Sequence, residues 1–178
     1  MIRRMLSIAV LALLPIFTLA SDFPLTGSNT EIKFVGTKPQ GKHDGGFKTV
    51  TGNASVKGTD ATSLQLKLDI DVNSLYSDND KLTTHLKSPD FFGVKSNPKA
   101  MFEVTKVEKD GADYKVTGDF TMLGKKNSIT IPAKIAATDD SLTLTTSFSI
   151  DRTKWGMSYG QGKVDNMVKL SVSLKAKK

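Results

Sequence analysis

Cysteine is absent from this chain of 178 residues, and histidine occurs only twice. The lack of cysteine excludes disulfide scaffolds, Cys-ligated zinc, iron–sulfur clusters and thiol nucleophiles. The two histidines, His43 and His85, lie too far apart in sequence for a His-x-His or His-x-x-x-His metal motif. We therefore expect no catalytic residues and no metal site.

The N-terminus has the composition of a secretory signal. Arg3 and Arg4 precede an apolar run over residues 5–19, and small residues stand at the end of that run, with Ala20 last. The run is short for a membrane span, and no cysteine follows it to carry a lipid anchor. We predict that residues 1–20 are cleaved and that residues 21–178 form one domain. The mature protein is expected in the periplasm or outside the cell, without stable membrane insertion.

Arginine becomes scarce once this segment is removed. Loss of two arginines lowers the formal charge from +7 to +5, and Arg152 is the last arginine left. The other basic residues are lysines scattered along the chain. Bidentate phosphate or base recognition relies on clustered arginine, so we expect no nucleic-acid partner.

Alternation of apolar and polar residues is the strongest pattern present, and it is typical of strands with one buried face. Short turn segments separate the runs. Eight runs alternate in this way: 32–35, 47–56, 64–72, 100–104, 114–122, 129–135, 142–150 and 168–174.

Residues 77–97 interrupt the alternation. Ser77 and Asp80 have the spacing of a capping box, and Leu82 and Leu86 lie one helical turn apart. Ser88-Pro89-Asp90 has the composition of the start of a second turn. We predict a short helical insert between the third and fourth strands, where it would act as a plug or lid.

The pattern therefore predicts an all-β fold, an eight-stranded antiparallel sheet that folds over or closes into a β-barrel. A barrel of this size is either filled by its own side chains or holds one small ligand. Large residues such as Phe102 share strand faces with small ones such as Gly118, and this leaves both interpretations open.

Several motifs resemble those of the YceI-like family. They are Thr84-His85-Leu86-Lys87-Ser88-Pro89-Asp90-Phe91-Phe92, then Pro98 and Phe102, then Val116-Thr117-Gly118-Asp119-Phe120-Thr121, and finally Ile150-Asp151-Arg152 with Trp155-Gly156-Met157. The resemblance covers nearly all of residues 23–176. It implies a lipocalin-like barrel that binds a polyisoprenoid or another long amphiphilic lipid outside the cytoplasm. It also makes residues 41–47 a loop after the first strand. Where relatives often carry a histidine before a turn glycine, this chain has Leu123.

The resemblance implies a carrier that holds a quinone or prenyl phosphate type of lipid for transport, storage or sequestration. No cofactor is expected other than such a lipid, and the protein would be a monomer or homodimer. We expect the lumen to be lined by these residues: Phe34, Phe91, Phe92, Phe102, Phe120, Phe148, Trp155 and Met157. Candidates for a polar mouth are His43, Asp90, Arg152 and Tyr159.

Purely structural roles remain open as alternatives for two of these polar residues. His43 is interpreted as a solvated loop histidine or a ligand contact, and Arg152 as a partner of a carboxylate or of a ligand's polar head.

Two other functions compete with lipid carriage. One is an enzyme acting on a small hydrophobic substrate with Asp90, His43 or Arg152 as its polar groups. The other is a barrel with a filled core that serves as a stress or interaction module.

Overall fold

The computed structural model describes residues 20–178, so the predicted signal segment lies outside the described residues except for its last position. The described chain is mostly β-strand, with one α-helix, α1, at Asp80–Lys87 and short 3₁₀ turns at Val72–Ser74 and Arg152–Trp155. The strands are β1 (Ala20–Thr26), β2 (Thr30–Lys38), β3 (Gly41–Phe47), β4 (Val50–Lys57), β5 (Asp60–Asp71), β6 (Leu75–Ser77), β7 (Lys99–Asp110), β8 (Asp113–Met122), β9 (Lys125–Ala137), β10 (Ser141–Asp151) and β11 (Met167–Lys177).

All eleven strands belong to one antiparallel sheet in the order β1-β4-β5-β7-β8-β9-β10-β11-β2-β3-β6. The sheet curls into a half-barrel, and alternate side chains of each strand point into it. β2 and β3 form a hairpin whose two strands continue, after short breaks, as β1 and β4, which also pair with each other. The all-β antiparallel prediction is confirmed.

The structure has eleven strands where the sequence predicts eight. β1 escapes the pattern because it is short and contains Pro24 beside only two large apolar residues, Phe23 and Leu25. The segment Gly41–Phe47, expected to be a loop, is strand β3, and its three glycines conceal the alternation. The third additional strand is β6, which has three residues.

The helical insert follows β6 and precedes β7, between the predicted runs 64–72 and 100–104, and the three additional strands that precede it change its ordinal place in the sheet. The helix also begins later than the expected capping box. Asn79 is the N-cap, and its side chain accepts a hydrogen bond from the N–H of Leu82. Residues 88–92 form a turn after the helix, with the N–H groups of Phe91 and Gly93 both donating to the carbonyl of Ser88.

The two ends of the half-barrel differ. At the end that we call the packed end, β1 pairs with β4 and lies against β11, and its large side chains are fully buried. Ser21 of β1 also donates a hydrogen bond to the carbonyl of Asp139, between β9 and β10. At the other end, the lid end, α1 with the turn that follows it and the segment 152–166 lie over the sheet. Within residues 20–178, no helix has both the length and the apolar character needed to cross a membrane.

Candidate functional site: an apolar cavity under the lid

An apolar cavity of about 170 Å³ lies inside the half-barrel toward the lid end. Eight of the eleven described strands contribute an inward-facing side chain to its wall, and the lid contributes the roof. The wall and roof consist of Thr30, Ile32, Phe34, Phe47, Leu66, Leu68, Ile70, Leu86, Phe91, Phe92, Ala100, Phe102, Val104, Val116, Phe120, Met122, Ile129, Ile131, Leu144, Thr146, Phe148, Ile150, Arg152, Met157, Val164, Val168, Leu170, Val172 and Leu174. Such a chamber favours a hydrocarbon guest over water, which needs several polar partners.

The structure places seven of the eight predicted lumen residues on this cavity. These seven are Phe34, Phe91, Phe92, Phe102, Phe120, Phe148 and Met157. The eighth, Trp155, lies outside it. Trp155 is only 1% exposed, its indole N–H donates to the carbonyl of Phe120 at 3.0 Å, and its ring centroid is 5.3 Å from that of Phe120. Trp155 therefore supports the cavity wall from behind and does not line it.

Two glycines provide room for phenylalanine rings inside the cavity. A Cβ at Gly45 would lie 2.3 Å from Cζ of Phe34, which pairs with Gly45 across β2 and β3. A Cβ at Gly118 would lie 2.6 Å from Cζ of Phe102 on the neighbouring strand. The space left by these small residues is thus occupied by the adjacent rings, and the remaining free volume lies beyond them.

The lid contributes apolar side chains from two separate segments. Leu86, Phe91 and Phe92 come from α1 and its following turn, and Phe92 packs edge-on against Phe47 of β3 with ring centroids 5.9 Å apart. Met157 comes from the segment after β10. The predicted lid is therefore present, although it has two parts where the sequence suggested one.

Arg152 holds the second part of the lid together. Its side chain is buried, with 2% of the residue exposed, and its guanidinium donates to the backbone carbonyls of Asp165 (Nε, 3.1 Å), Met157 (Nη1, 2.7 Å) and Val164 (Nη2, 3.3 Å). Among the described residues no carboxylate lies within ion-pair distance of it, because the carboxylate of Asp151 is bonded to Thr153. The carboxylate partner, which is one of the two interpretations offered by the sequence for Arg152, is absent there.

Burial lowers the pKa of Arg152 from the usual arginine value, while the negative charge of Asp151 acts in the opposite direction. Since arginine normally titrates far above neutral pH, the guanidinium stays charged. A charge in this position is satisfied by carbonyl dipoles alone, so Arg152 fixes the path of the segment 157–165 over the cavity.

The remaining candidates for a polar mouth lie in two places. Oδ2 of Asp90 lies at hydrogen-bond distance, 2.9 Å, from Nε2 of His85. The His85 ring packs edge-on against the rings of Phe91 and Tyr159, with centroids 5.0 Å apart in both pairs. Phe91 and Tyr159 are themselves 5.1 Å apart. This aromatic cluster joins the two parts of the lid on their outer side.

His43 lies apart from that cluster, on β3, where its Nδ1 is 3.0 Å from Oδ1 of Asp78. It is not among the residues that line the cavity. The backbone N–H of Asp44 and the His43 ring hold the pKa of Asp78 below its usual value. Over residues 20–178, no cluster of three or more His, Asp or Glu side chains is placed to hold a metal ion.

Comparison with known protein families identifies the family of this chain. Residues 23–176 match the YceI-like domain. The chain belongs to the YceI-like family. A UPF0312 protein of Enterobacter sp. (strain 638) is 31% identical over 96 residues, which are 54% of this chain and 50% of the relative. Protein YceI of Escherichia coli O17:K52:H18 is 30% identical over 96 residues, with the same shares. The chain thus matches about half the length of these curated relatives.

Two solved structures share the fold of this YceI-like chain. Burkholderia cenocepacia BcnA superimposes with a TM-score of 0.76 at 22% identity, covering 83% of this chain and 96% of BcnA. A polyisoprenoid binding domain from Saccharophagus degradans superimposes with a TM-score of 0.71 at 14% identity, covering 89% of this chain and 99% of that domain. At these identities the likeness establishes the fold.

Several apolar residues that line the YceI-like cavity were not among the predicted lumen residues. Leu170 and Val172 on β11 and Ile129 on β9 line it, as does Phe47 on β3. Their alternation marked the inward face of each strand, but it did not distinguish cavity from packed core. That distinction depends on which positions the lid covers, and sequence periodicity carries no such information.

Proposed function

We propose that this YceI-like protein binds one long amphiphilic lipid, of the quinone or prenyl phosphate type, with its hydrocarbon chain in the cavity. The apolar wall of that cavity is the observation that carries the proposal. The description of the Saccharophagus degradans domain as polyisoprenoid binding supports the same class of guest. Each methylene transferred from water to such a wall contributes about 0.8 kcal/mol, so a long chain binds tightly without a charged anchor.

The proposed role is stoichiometric binding without turnover. The polar residues suggested for an enzyme at the lid already have structural partners, since Arg152 is bonded to backbone carbonyls and Asp90 to His85. A general acid or base must reach a substrate atom directly or through one water. The enzyme alternative would require one of these groups to leave its partner.

We further propose that the sheet corresponds to an eight-stranded lipocalin-like barrel. Support comes from the two bent strands, in which β1 continues into β2 and β3 continues into β4. Counted as one strand each, they join β5 and β7–β11 to give eight, with β6 as an added edge. Export to the periplasm or beyond remains part of the proposal, on the strength of the N-terminal sequence.

The test begins with native mass spectrometry of protein purified from its own compartment, followed by extraction of the bound species. One lipid per chain is the expected result. A chain that is empty and also takes up no added quinone or prenyl phosphate would contradict the proposal and favour the interaction module.

A matched pair of variants then locates the lipid. Leu170→Trp fills the cavity from β11, whereas Lys169→Trp adds the same ring to the exposed face of the same strand. We expect affinity for an added quinone to fall at least tenfold in the first variant only. Circular dichroism checks that both are folded, and equal affinity in both would place the lipid elsewhere.

A further inference from the structure

The wall of the half-barrel contains a break on the cavity side. β9 and β10 pair over only four residue pairs, from Ala137 with Leu142 to Lys134 with Thr145. Toward the lid end β9 stays paired with β8, and β10 stays paired with β11, but the two strands are not paired with each other. We call this gap, between residues 125–133 of β9 and 146–151 of β10, the slit.

Pro132 explains where the slit begins. The carbonyl of Pro132 accepts a hydrogen bond from Oγ1 of Thr146, so the backbone groups of Pro132 face β10. In an antiparallel pair a residue turns its N–H and its C=O to the same neighbour, and proline has no N–H to donate. The ladder hydrogen bond that an N–H at position 132 would donate to β10 is therefore missing. The bond from Thr146 to the Pro132 carbonyl takes its place at the end of the slit next to the four pairs.

The slit borders the cavity directly. Ile129 and Ile131 on one lip and Phe148 and Ile150 on the other line the cavity, and Ile129 and Phe148 are only half-buried. The outward neighbours along both lips are small hydroxyl residues: Ser128, Thr130, Ser147 and Ser149. A hydrocarbon chain passing between the lips meets apolar side chains within and small polar ones outside.

The lid end is held more firmly than the slit. Opening the second part of the lid requires breaking the three Arg152 bonds, and opening the first part requires separating His85, Phe91 and Tyr159. Hydrogen bonds to a charged group are stronger than those between neutral groups. Along the slit, β9 and β10 share no ladder hydrogen bond that would have to break when the lips separate. The four pairs beyond its end can stay intact.

A second divergence of strands lies elsewhere in the wall. β5 and β7 pair only from Asp71 with Lys99 to Lys67 with Glu103, and they separate toward the packed end. Behind that gap the side chains of Leu64 and Val107 are buried in the core. This second gap therefore faces packed side chains over most of its length, and it provides a control.

We propose that the slit is the route by which the hydrocarbon chain of the guest enters and leaves, sideways through the sheet and not past the lid. The proposal rests on the lipid-binding function proposed above. It assigns the lips of β9 and β10 a role in exchange, and it leaves the lid as a fixed roof.

The test exploits the absence of cysteine. If the β9–β10 register continued from Lys134 and Thr145, Thr130 would lie opposite Ser149, and both side chains are exposed. The variant Thr130→Cys/Ser149→Cys is to be bridged, after folding, with a short bis-thiol reagent that a reductant cleaves. Uptake and release of a fluorescent fatty acid by stopped flow should slow at least tenfold when bridged and recover on reduction.

Two further cysteine pairs serve as matched controls. Ala136→Cys/Thr143→Cys bridges positions that are already paired in the ladder, and Gln65→Cys/Thr105→Cys bridges the second gap. Neither bridge should change the exchange rates. A separate variant, Pro132→Val, restores an N–H at the head of the slit and should slow exchange at least twofold without any reagent.

The outcomes separate the two proposals. If the unbridged protein binds the fatty acid and the slit bridge leaves its rates unchanged, the route is overturned while the binding function stands. The same holds if only the Gln65→Cys/Thr105→Cys bridge slows exchange. If the unbridged protein binds neither the fatty acid nor an added quinone, the binding function fails and the route fails with it.

Discussion

The packed end and the lid end of this half-barrel share most of their strands but are filled differently. At the packed end, Phe23 and Leu142 are 0% exposed, and neither borders the cavity. At the lid end, Phe148 on the same strand as Leu142 is half-buried and borders free volume. Side chains of similar size thus serve packing at one end and leave space at the other. The difference comes from β1, which contributes side chains to the packed end only.

The largest predicted effect tests this comparison with two truncations. Phe23→Ala at the packed end should lower the free energy of unfolding by about 3–5 kcal/mol, because a void opens in a filled region. Phe148→Ala should cost only about 1–2 kcal/mol, because its ring already borders free space and is half-buried. Urea denaturation of both variants measures the difference. Equal losses would mean that the two ends are packed alike.

The sequence predicted buried side chains well on some strands and poorly on others, and Phe148 and Phe23 show why. Phe148 belongs to a long alternating run, so its inward direction could be predicted from periodicity alone. Phe23 lies in a short strand with Pro24, and its role depends on pairing with β4, which local sequence does not specify. Lumen residues on long strands, such as Phe148, could therefore be predicted, whereas the strand that fills the packed end was missed.

The second prediction concerns the polar group that fixes the lid. Arg152→Leu should cost about 1.5–3 kcal/mol, because buried carbonyls lose charged donors. Hydrogen exchange should become faster in residues 157–165, while β1 and β4 at the packed end keep their protection. Lysine at this position should not rescue the lid, since it lacks the planar fork that reaches three carbonyls. Uniform loss of protection would show that the two ends are coupled.

The interactions of Arg152 also mark the limit of sequence analysis at the site. Its place after a strand and its isolation among lysines drew attention to it. Its partners are backbone carbonyls up to 13 residues away, and carbonyls are present at every position of any sequence. The same limit applies to Trp155, whose N–H bonds to the carbonyl of Phe120.

A smaller effect is expected where glycine accommodates a cavity ring. Gly118→Ala should cost about 1 kcal/mol or more, because the new methyl overlaps the Phe102 ring and the carbonyl of Glu103. Gly36→Ala is the matched control, since a Cβ there meets no atom within 4 Å. Thermal unfolding of the two variants distinguishes them. Unchanged stability in both would mean that the Phe102 ring shifts freely into the cavity.

The smallest effect is a pH dependence at Asp78, outside both ends. Its pKa is lowered in the folded state, chiefly by the N–H of Asp44, so its contribution is present above its usual value near 3.8. That contribution is lost as pH falls through the lower folded pKa. Asp78→Asn should therefore flatten the acid side of the stability curve slightly and leave lipid affinity unchanged. Curves that overlay at pH 2–5 would contradict the assignment.

The pairing of β2 with β11 has a consequence for the folding of the chain. β11 is synthesised after all the other described strands, yet it supplies a partner both to β10 and to β2. Contacts between distant parts of a chain are slow to form, and all-β proteins rich in them fold in milliseconds to seconds. The sheet cannot be completed until the whole chain is available. A chain that still lacks β11 leaves β10 and β2 as additional open edges, and folding must wait for that strand.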